Sequence, residues 1–168
     1  MSNSEIVITY DKLDINAGVM FVTSPMCGAI NTFLGVVRGT DIDGSRKDHS
    51  RPIRALYYEA YEPMARKQIS KIIDTVVKGS DLEIGSHISA DDNTRTHVAL
   101  RLGQVLVSEA SIMICVASTG RDLSHYATLA ILREIKSHVA IWKKIVFSDG
   151  DESWADSKSE AEWIKCPD

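Results

Sequence analysis

Two stretches of helical periodicity set the frame for this chain. In EPMARKQISKIIDTVVKG, residues 62–79, the side chains of Ala65, Ile69, Ile72, Ile73, Val76 and Val77 fall on one face. Pro63 suits a first turn and Gly79 a stop. In DLSHYATLAILREIKSHV, residues 122–139, Leu123, Ala127, Ala130, Ile131 and Ile135 share a face, and Asp122 or Ser124 is placed to cap it. Around these helices lie shorter apolar or alternating runs, each read as a strand: EIVITY, GVMFVTS, GAINTFLGVVRG, IRALYYEAY, HVALRLGQVLV, ASIMICVAS and IWKKIVF. In the last of these, a period of two puts Trp142 and Lys144 on one side and Lys143 on the other. Strands and helices are interspersed without strict βαβ alternation. The pattern predicts an α+β fold, with helices packed on a mixed or antiparallel sheet.

The 168 residues fit one domain, 1–168, long enough to bury a core without staples. Three segments stand apart: a polar, charged, turn-rich loop at 41–54, an irregular insertion at 80–96, and an acidic, polar tail from Asp149 that carries Trp154 and Trp163 and ends in the stretch 155–168. A net charge of −4 and a pI near 5.7 disfavour a general nucleic-acid or membrane-surface binder, but not a local basic pocket. Cys27, Cys115 and Cys166 form no CxxC pair and no zinc spacing, which fits a reducing compartment. Cys115, inside IMICVA, reads as a buried core thiol. The N-terminus has no signal-peptide pattern, and no apolar run approaches the roughly 18 residues of a membrane span. The expected location is the cytosol.

The candidate chemistry is cationic. KSHVAIWKK places Lys136 and Lys143 seven residues apart, flanking a helix-to-strand turn, with Lys144 beside them. A lysine in a partly desolvated pocket, or beside other cations, becomes usable as a nucleophile or proton donor, and it attracts phosphate. The competing reading is a solvated cationic helix end favoured by the helix dipole. Arg121, in ASTGRDLS between a strand end and a helix start, can join backbone N–H groups in holding an anion, or can be a surface arginine in a capped turn. Arg38 ends a strand and opens the basic loop with Arg46, Lys47, Arg51 and Arg54, either solvated or a lid over an anionic ligand. The histidines show no metal spacing. Asp41, Asp43, Asp91 and Asp92 lie in loops without an EF-hand pattern.

Four ordered blocks, GAINTFLGVVRG, LYYEAYEPMA, RLGQVLVSEASIMICVAS and GRDLSHYATLAILREIKSHVAIWKK, together resemble the MoaE family, the large, catalytic subunits of molybdopterin synthase. The eukaryotic members are nearest in form, and the resemblance runs from about Gly28 to Trp154. It implies an α/β hammerhead-like fold. It implies conversion of cyclic pyranopterin monophosphate to molybdopterin by building a dithiolene. The sulfur donor it implies is a thiocarboxylate on the C-terminal Gly-Gly of a small ubiquitin-like subunit. The implied assembly is a dimer of large subunits with a small subunit at each end, and no cofactor or metal is implied. Matched by motif, the family lysines fall on Lys136, for work at the reacting carbon or the partner's tail, and Lys143, assisting by charge. The family's phenylalanine and arginine fall on Phe33 and Arg38. The arginine of its His-Arg pair falls on Arg121, in the family partly from the neighbouring protomer. Arg101 and Lys144 complete the expected substrate-binding set. The chain departs where Gly120 stands for a family histidine and where Leu100-Arg101 replaces His-Arg. Those departures raise an alternative, a binding module for a ubiquitin-like partner that has lost the chemistry.

Overall fold

The computed structural model describes residues 3–40, 51–78 and 91–155. Expectations that fall on 41–50, 79–90 and 156–168, including most of the polar loop, most of the insertion, and Trp163, lie outside the described residues. Among the described residues the order is β1 (Ser4–Thr9), α1 (Ile15–Val22), β2 (Ala29–Val36), β3 (Ile53–Ala60), α2 (Glu62–Lys78), β4 (Arg95–Arg101), β5 (Gly103–Leu106), β6 (Ala110–Ser118), α3 (Arg121–His138), β7 (Ile141–Phe147) and β8 (Glu152–Trp154). The strands form two sheets, ordered β1-β4-β6-β2 and β5-β3-β7-β8. In the first, β1 runs parallel to β4 and the other pairs are antiparallel. The second is antiparallel throughout. Helices on mixed and antiparallel sheets make the α+β fold that the interspersed pattern predicts.

The two long helices cover one face of the first sheet. Val98 and Leu100 of β4, with Ile114 and Val116 of β6, meet Ile69, Ile72, Ile73 and Val76 of α2 and Leu123, Ala127, Ala130, Ile131 and Ile135 of α3. These are the helix positions that the 3.6-residue period selects. Each fully buried Ile or Val is worth roughly 1.5–3 kcal/mol, so this cluster fixes where α3 lies. The opposite face is covered by α1, whose Val22 packs on Ala99, Met113, Cys115 and Ala117. Cys115 is fully buried, as its apolar run predicts.

Four expectations are corrected. GVMFVTS is the end of α1, not a strand. Asp14 Oδ1 accepts the N–H of Asn16 at 2.9 Å and of Ala17 at 3.2 Å, and this N-cap decides a short apolar run that periodicity leaves ambiguous. HVALRLGQVLV is two strands in different sheets, with Gly103 at φ +73 turning the chain between them. Neither Asp122 nor Ser124 caps α3: the N-cap is Gly120, and Ser124 Oγ donates to the Arg121 carbonyl. Finally, the loop bound at 54 is corrected: Ile53 and Arg54 belong to β3, as the strand reading of IRALYYEAY has it.

At the β4–β5 corner, Glu109 accepts from Lys12 Nζ at 2.8 Å, Arg101 Nη1 at 2.9 Å and the Leu106 N–H at 3.3 Å. Lys12, then the Leu106 N–H and then Arg101 push its carboxyl down to about 2, against a smaller opposing effect of desolvation. A carboxylate depressed from 4.5 contributes stability that is complete above the unfolded value and lost as pH falls from 4.5 towards 2. The urea midpoint of the wild type should therefore drop through that window, and Glu109→Gln should flatten the drop while lowering the midpoint at pH 7. An identical pH profile in the variant would show that the clamp contributes nothing.

Candidate functional site

The handover from α3 to β7 takes two residues. The Val139 N–H closes the helix on the Ile135 carbonyl at 3.1 Å, and the Ala140 N–H is held by Gln68 Oε1 of α2 at 3.0 Å. Lys136, exposed in the last turn of α3, is thereby fixed relative to β7, which carries Lys143 and Lys144. In the ladder with β3, Lys143 stands opposite Tyr58 and Lys144 opposite Tyr57, so the two lysines lie on opposite faces, as the strand period predicts. The Lys143 face also carries Leu56, Tyr58 and Ile145, which pack on the buried cluster of Val37, Ile53, Val105 and Phe147.

That cluster brings Arg38 to the same neighbourhood, because Val37, one residue before it, is buried there. The direction of α3 agrees. β6 ends at Ser118, beside the start of β2 at Ala29, and α3 turns back from that point. Its first turns lie over the start of β2, where Asn31 hydrogen-bonds His125. Its last turn therefore lies towards the other end, where β2 finishes at Val36 and Arg38 follows. Phe33, half-buried on β2, packs against the cluster beneath α2 and α3. Lys136 and Lys143 thus flank the α3–β7 handover, Arg38 follows the buried cluster on which the Lys143 face packs, and Phe33 lies on β2.

Other expected members of the site are placed elsewhere. Arg121 opens α3, fifteen residues before Lys136, and a rise of about 1.5 Å per residue separates their Cα atoms by about 22 Å. Its guanidinium is solvated, with Asp122 only as near as 3.8 Å. Arg101 is engaged: its side chain is mostly buried, bonded to Glu109 and to the Gln104 carbonyl at 3.2 Å. Lys144 pairs with Glu152 at 2.6 Å and lies over the rings of Tyr57 and Trp154. The Glu152 bond is the main force that raises the Lys144 pKa, holding it as a fixed cation rather than a proton carrier. In the basic loop, Arg51 is tied to Asp149 and Asp151 and stacks 3.9 Å from the centre of the Phe147 ring.

Two features were missed in sequence. Glu152 lies in the acidic tail, and only the pairing of β8 with β7 brings it to Lys144. Asp91, one of the four loop aspartates without an EF-hand pattern, accepts the Thr119 N–H in the turn before Arg121. The two thiols among the described residues carry little activation. Burial pushes up both Cys27, where Asp91 adds to the effect, and Cys115.

The MoaE protein family model matches residues 8–138. The molybdopterin synthase catalytic subunit of Bos taurus is 34% identical over 159 residues, covering 94% of this chain and 74% of the relative. That of Aspergillus niger is 35% identical over 152 residues, covering 90% and 74%. Among solved structures, molybdopterin synthase from Staphylococcus aureus superposes with a TM-score of 0.73 at 28% identity, covering 93% of this chain and 98% of that one. The complex of subunits 1 and 2 of the molybdopterin-converting factor from Helicobacter pylori shares the fold, with a TM-score of 0.64 at 18% identity over 92% of this chain and 91% of that one. The family model spans most of the chain and relatives at 34–35% identity cover at least 90% of it, so the chain belongs to the MoaE family, that of the molybdopterin synthase catalytic subunits.

Proposed function

We propose that this chain is the catalytic subunit of a molybdopterin synthase, a sulfurtransferase of molybdenum cofactor biosynthesis. It converts cyclic pyranopterin monophosphate to molybdopterin by building a dithiolene. The observation that carries the reading is the placement of Lys136 and Lys143 on either side of the two-residue turn from α3 to β7, beside the sheet face that packs on the cluster before Arg38. An anionic pterin phosphate needs such cations, and a partner's acyl terminus needs a lysine beside it. Lys136 works at the reacting carbon or at the partner's tail, and Lys143 assists by charge.

Among the described residues no thiol is set up to carry the sulfur. Cys27 and Cys115 both have thiols held above their ordinary pKa, the opposite of what a thiolate carrier requires. We therefore assign the sulfur to a thiocarboxylate on the C-terminal glycine of a small ubiquitin-like subunit, and assign no resident cofactor or metal. Arg121 lies about 22 Å along α3 from Lys136, and side chains leave a helix sideways rather than along it. It therefore serves the site of a second copy of this chain, within a heterotetramer of two large and two small subunits. We place the assembly in the cytosol, where free thiols such as these persist.

The test is reconstitution. Mixed with a thiocarboxylated small subunit and cyclic pyranopterin monophosphate, the protein should form dithiolene product. A stable complex with the small subunit that makes no product would refute the assignment.

A further inference from the structure

We propose that Asp91 is a positioning residue for Arg121, holding the turn from β6 to α3 so that the guanidinium meets the substrate phosphate. The inference rests on the reading of Arg121 as a phosphate contact. Only Thr119 and Gly120 separate β6 from α3. Gly120 is the N-cap and supplies no side-chain bond, so this helix start lacks its usual local support. Glycine is also the residue with the most backbone freedom to lose on folding. Support has to come from elsewhere in the chain.

It comes from two sides of Thr119. Asp91 Oδ2 accepts the Thr119 N–H at 2.9 Å. Its other oxygen, Oδ1, accepts the N–H and the side-chain amide of Asn93 at 2.9 and 3.2 Å, and the Asp91 carbonyl accepts the Thr94 N–H at 3.0 Å. The carboxylate is thus aimed by its own turn and has no oxygen left unused. Burial pushes this carboxyl up, but the bonds from Thr119 and Asn93 outweigh it and hold it below its ordinary value. On the other side, the Gly28 N–H donates to the Ser118 carbonyl at 3.0 Å, and a Cβ on Gly28 would meet the Thr119 carbonyl oxygen at 2.8 Å. Ser118 Oγ closes the turn by donating to the Gly120 carbonyl at 2.6 Å. The Thr119 peptide is therefore gripped at its N–H and confined at its carbonyl. Arg121 follows two residues later with a solvated guanidinium. The backbone sets its position, and Asp91 sets that backbone.

The test compares wild type with Asp91→Asn, Arg121→Ala and the double variant, each in complex with the thiocarboxylated small subunit. An asparagine at 91 can keep its oxygen on the Asn93 N–H, which turns its NH2 towards Thr119 and removes the acceptor that Thr119 uses while leaving the bond to Asn93 in place. Asp91→Asn and Arg121→Ala should each raise KM for cyclic pyranopterin monophosphate about tenfold, with kcat within about twofold. The double variant should be no worse than Arg121→Ala. Affinity for the pterin is measured in parallel on complexes carrying the small subunit without its sulfur, so the shift is also read without turnover. Gly28→Ala, which presses the same peptide from the other side, should move KM and affinity in the same direction, and it carries the test if Asp91→Asn does not fold. An unchanged KM and affinity in Asp91→Asn beside a rise in Arg121→Ala would overturn the positioning role and leave the enzyme assignment standing. Multiplying effects in the double variant would also overturn it, since Asp91 would then act by a route other than Arg121. An Arg121→Ala enzyme with wild-type KM and affinity would remove the premise and the inference together.

Discussion

Lys136→Ala is expected to lower dithiolene formation by about 10²–10⁴-fold while the protein keeps its fold and its partner. The structural cost of the change is small. Lys136 is exposed in the last turn of α3, so truncation opens no cavity, and alanine is the better helix former. The loss includes a cation near the negative end of the helix dipole, worth about 0.3–1 kcal/mol. A thermal midpoint within a few degrees of wild type is therefore expected beside a near-complete loss of turnover. Lys136→Arg separates two roles for the side chain. It restores the charge but not a primary amine, so recovery would assign Lys136 to electrostatics and continued loss would assign it to bond-making. Full activity in Lys136→Ala would remove the residue from the mechanism.

The same residues show how far sequence carries. α2 and α3 were legible because one face of each is buried almost continuously, from Ile69 to Val76 and from Leu123 to Ile135, and burial writes a 3.6-residue period into the chain. Lys143 and Lys144 were correctly placed on opposite faces of β7 because strand alternation is rigid. α1 was not legible, because its single decisive contact is a polar cap from Asp14 in front of a run too short to show a period. The β4–β5 corner was hidden for a related reason. Gly103 interrupts an apolar stretch without changing its composition, and only its positive φ reveals that the chain changes sheets. Within the candidate site, sequence names single residues but not the pairings they make. Arg101 looked available in sequence because Glu109, the partner that engages it, lies eight residues on and across a strand turn. Lys144 looks available to substrate in sequence because Glu152 sits in a tail that reads as acidic filler until β8 pairs with β7. Local periodicity reports what a residue is buried against, whereas ion pairs between distant segments leave no local trace.

Mixed dimers provide the second large effect, and they test the geometry of the whole site. Arg121 and Lys136 stand at opposite ends of α3, about 22 Å apart. If each active site takes Lys136 from one protomer and Arg121 from the other, a dimer of one Lys136→Ala chain and one Arg121→Ala chain concentrates both lesions in a single site. The second site then combines an intact Lys136 with an intact Arg121. At substrate concentrations well below the KM of the Arg121→Ala parent, such mixed dimers, isolated with two affinity tags, should recover about half the wild-type activity per dimer. Each parent homodimer should remain far below that level, because both of its sites carry the same defect. Were Arg121 to act within its own protomer, every site in the mixed dimer would lack one of the two groups. Activity would then be no more than that of the Arg121→Ala homodimer. Recovery therefore requires that α3 of one chain be read from both ends, its last turn serving its own site and its first turn serving its neighbour's.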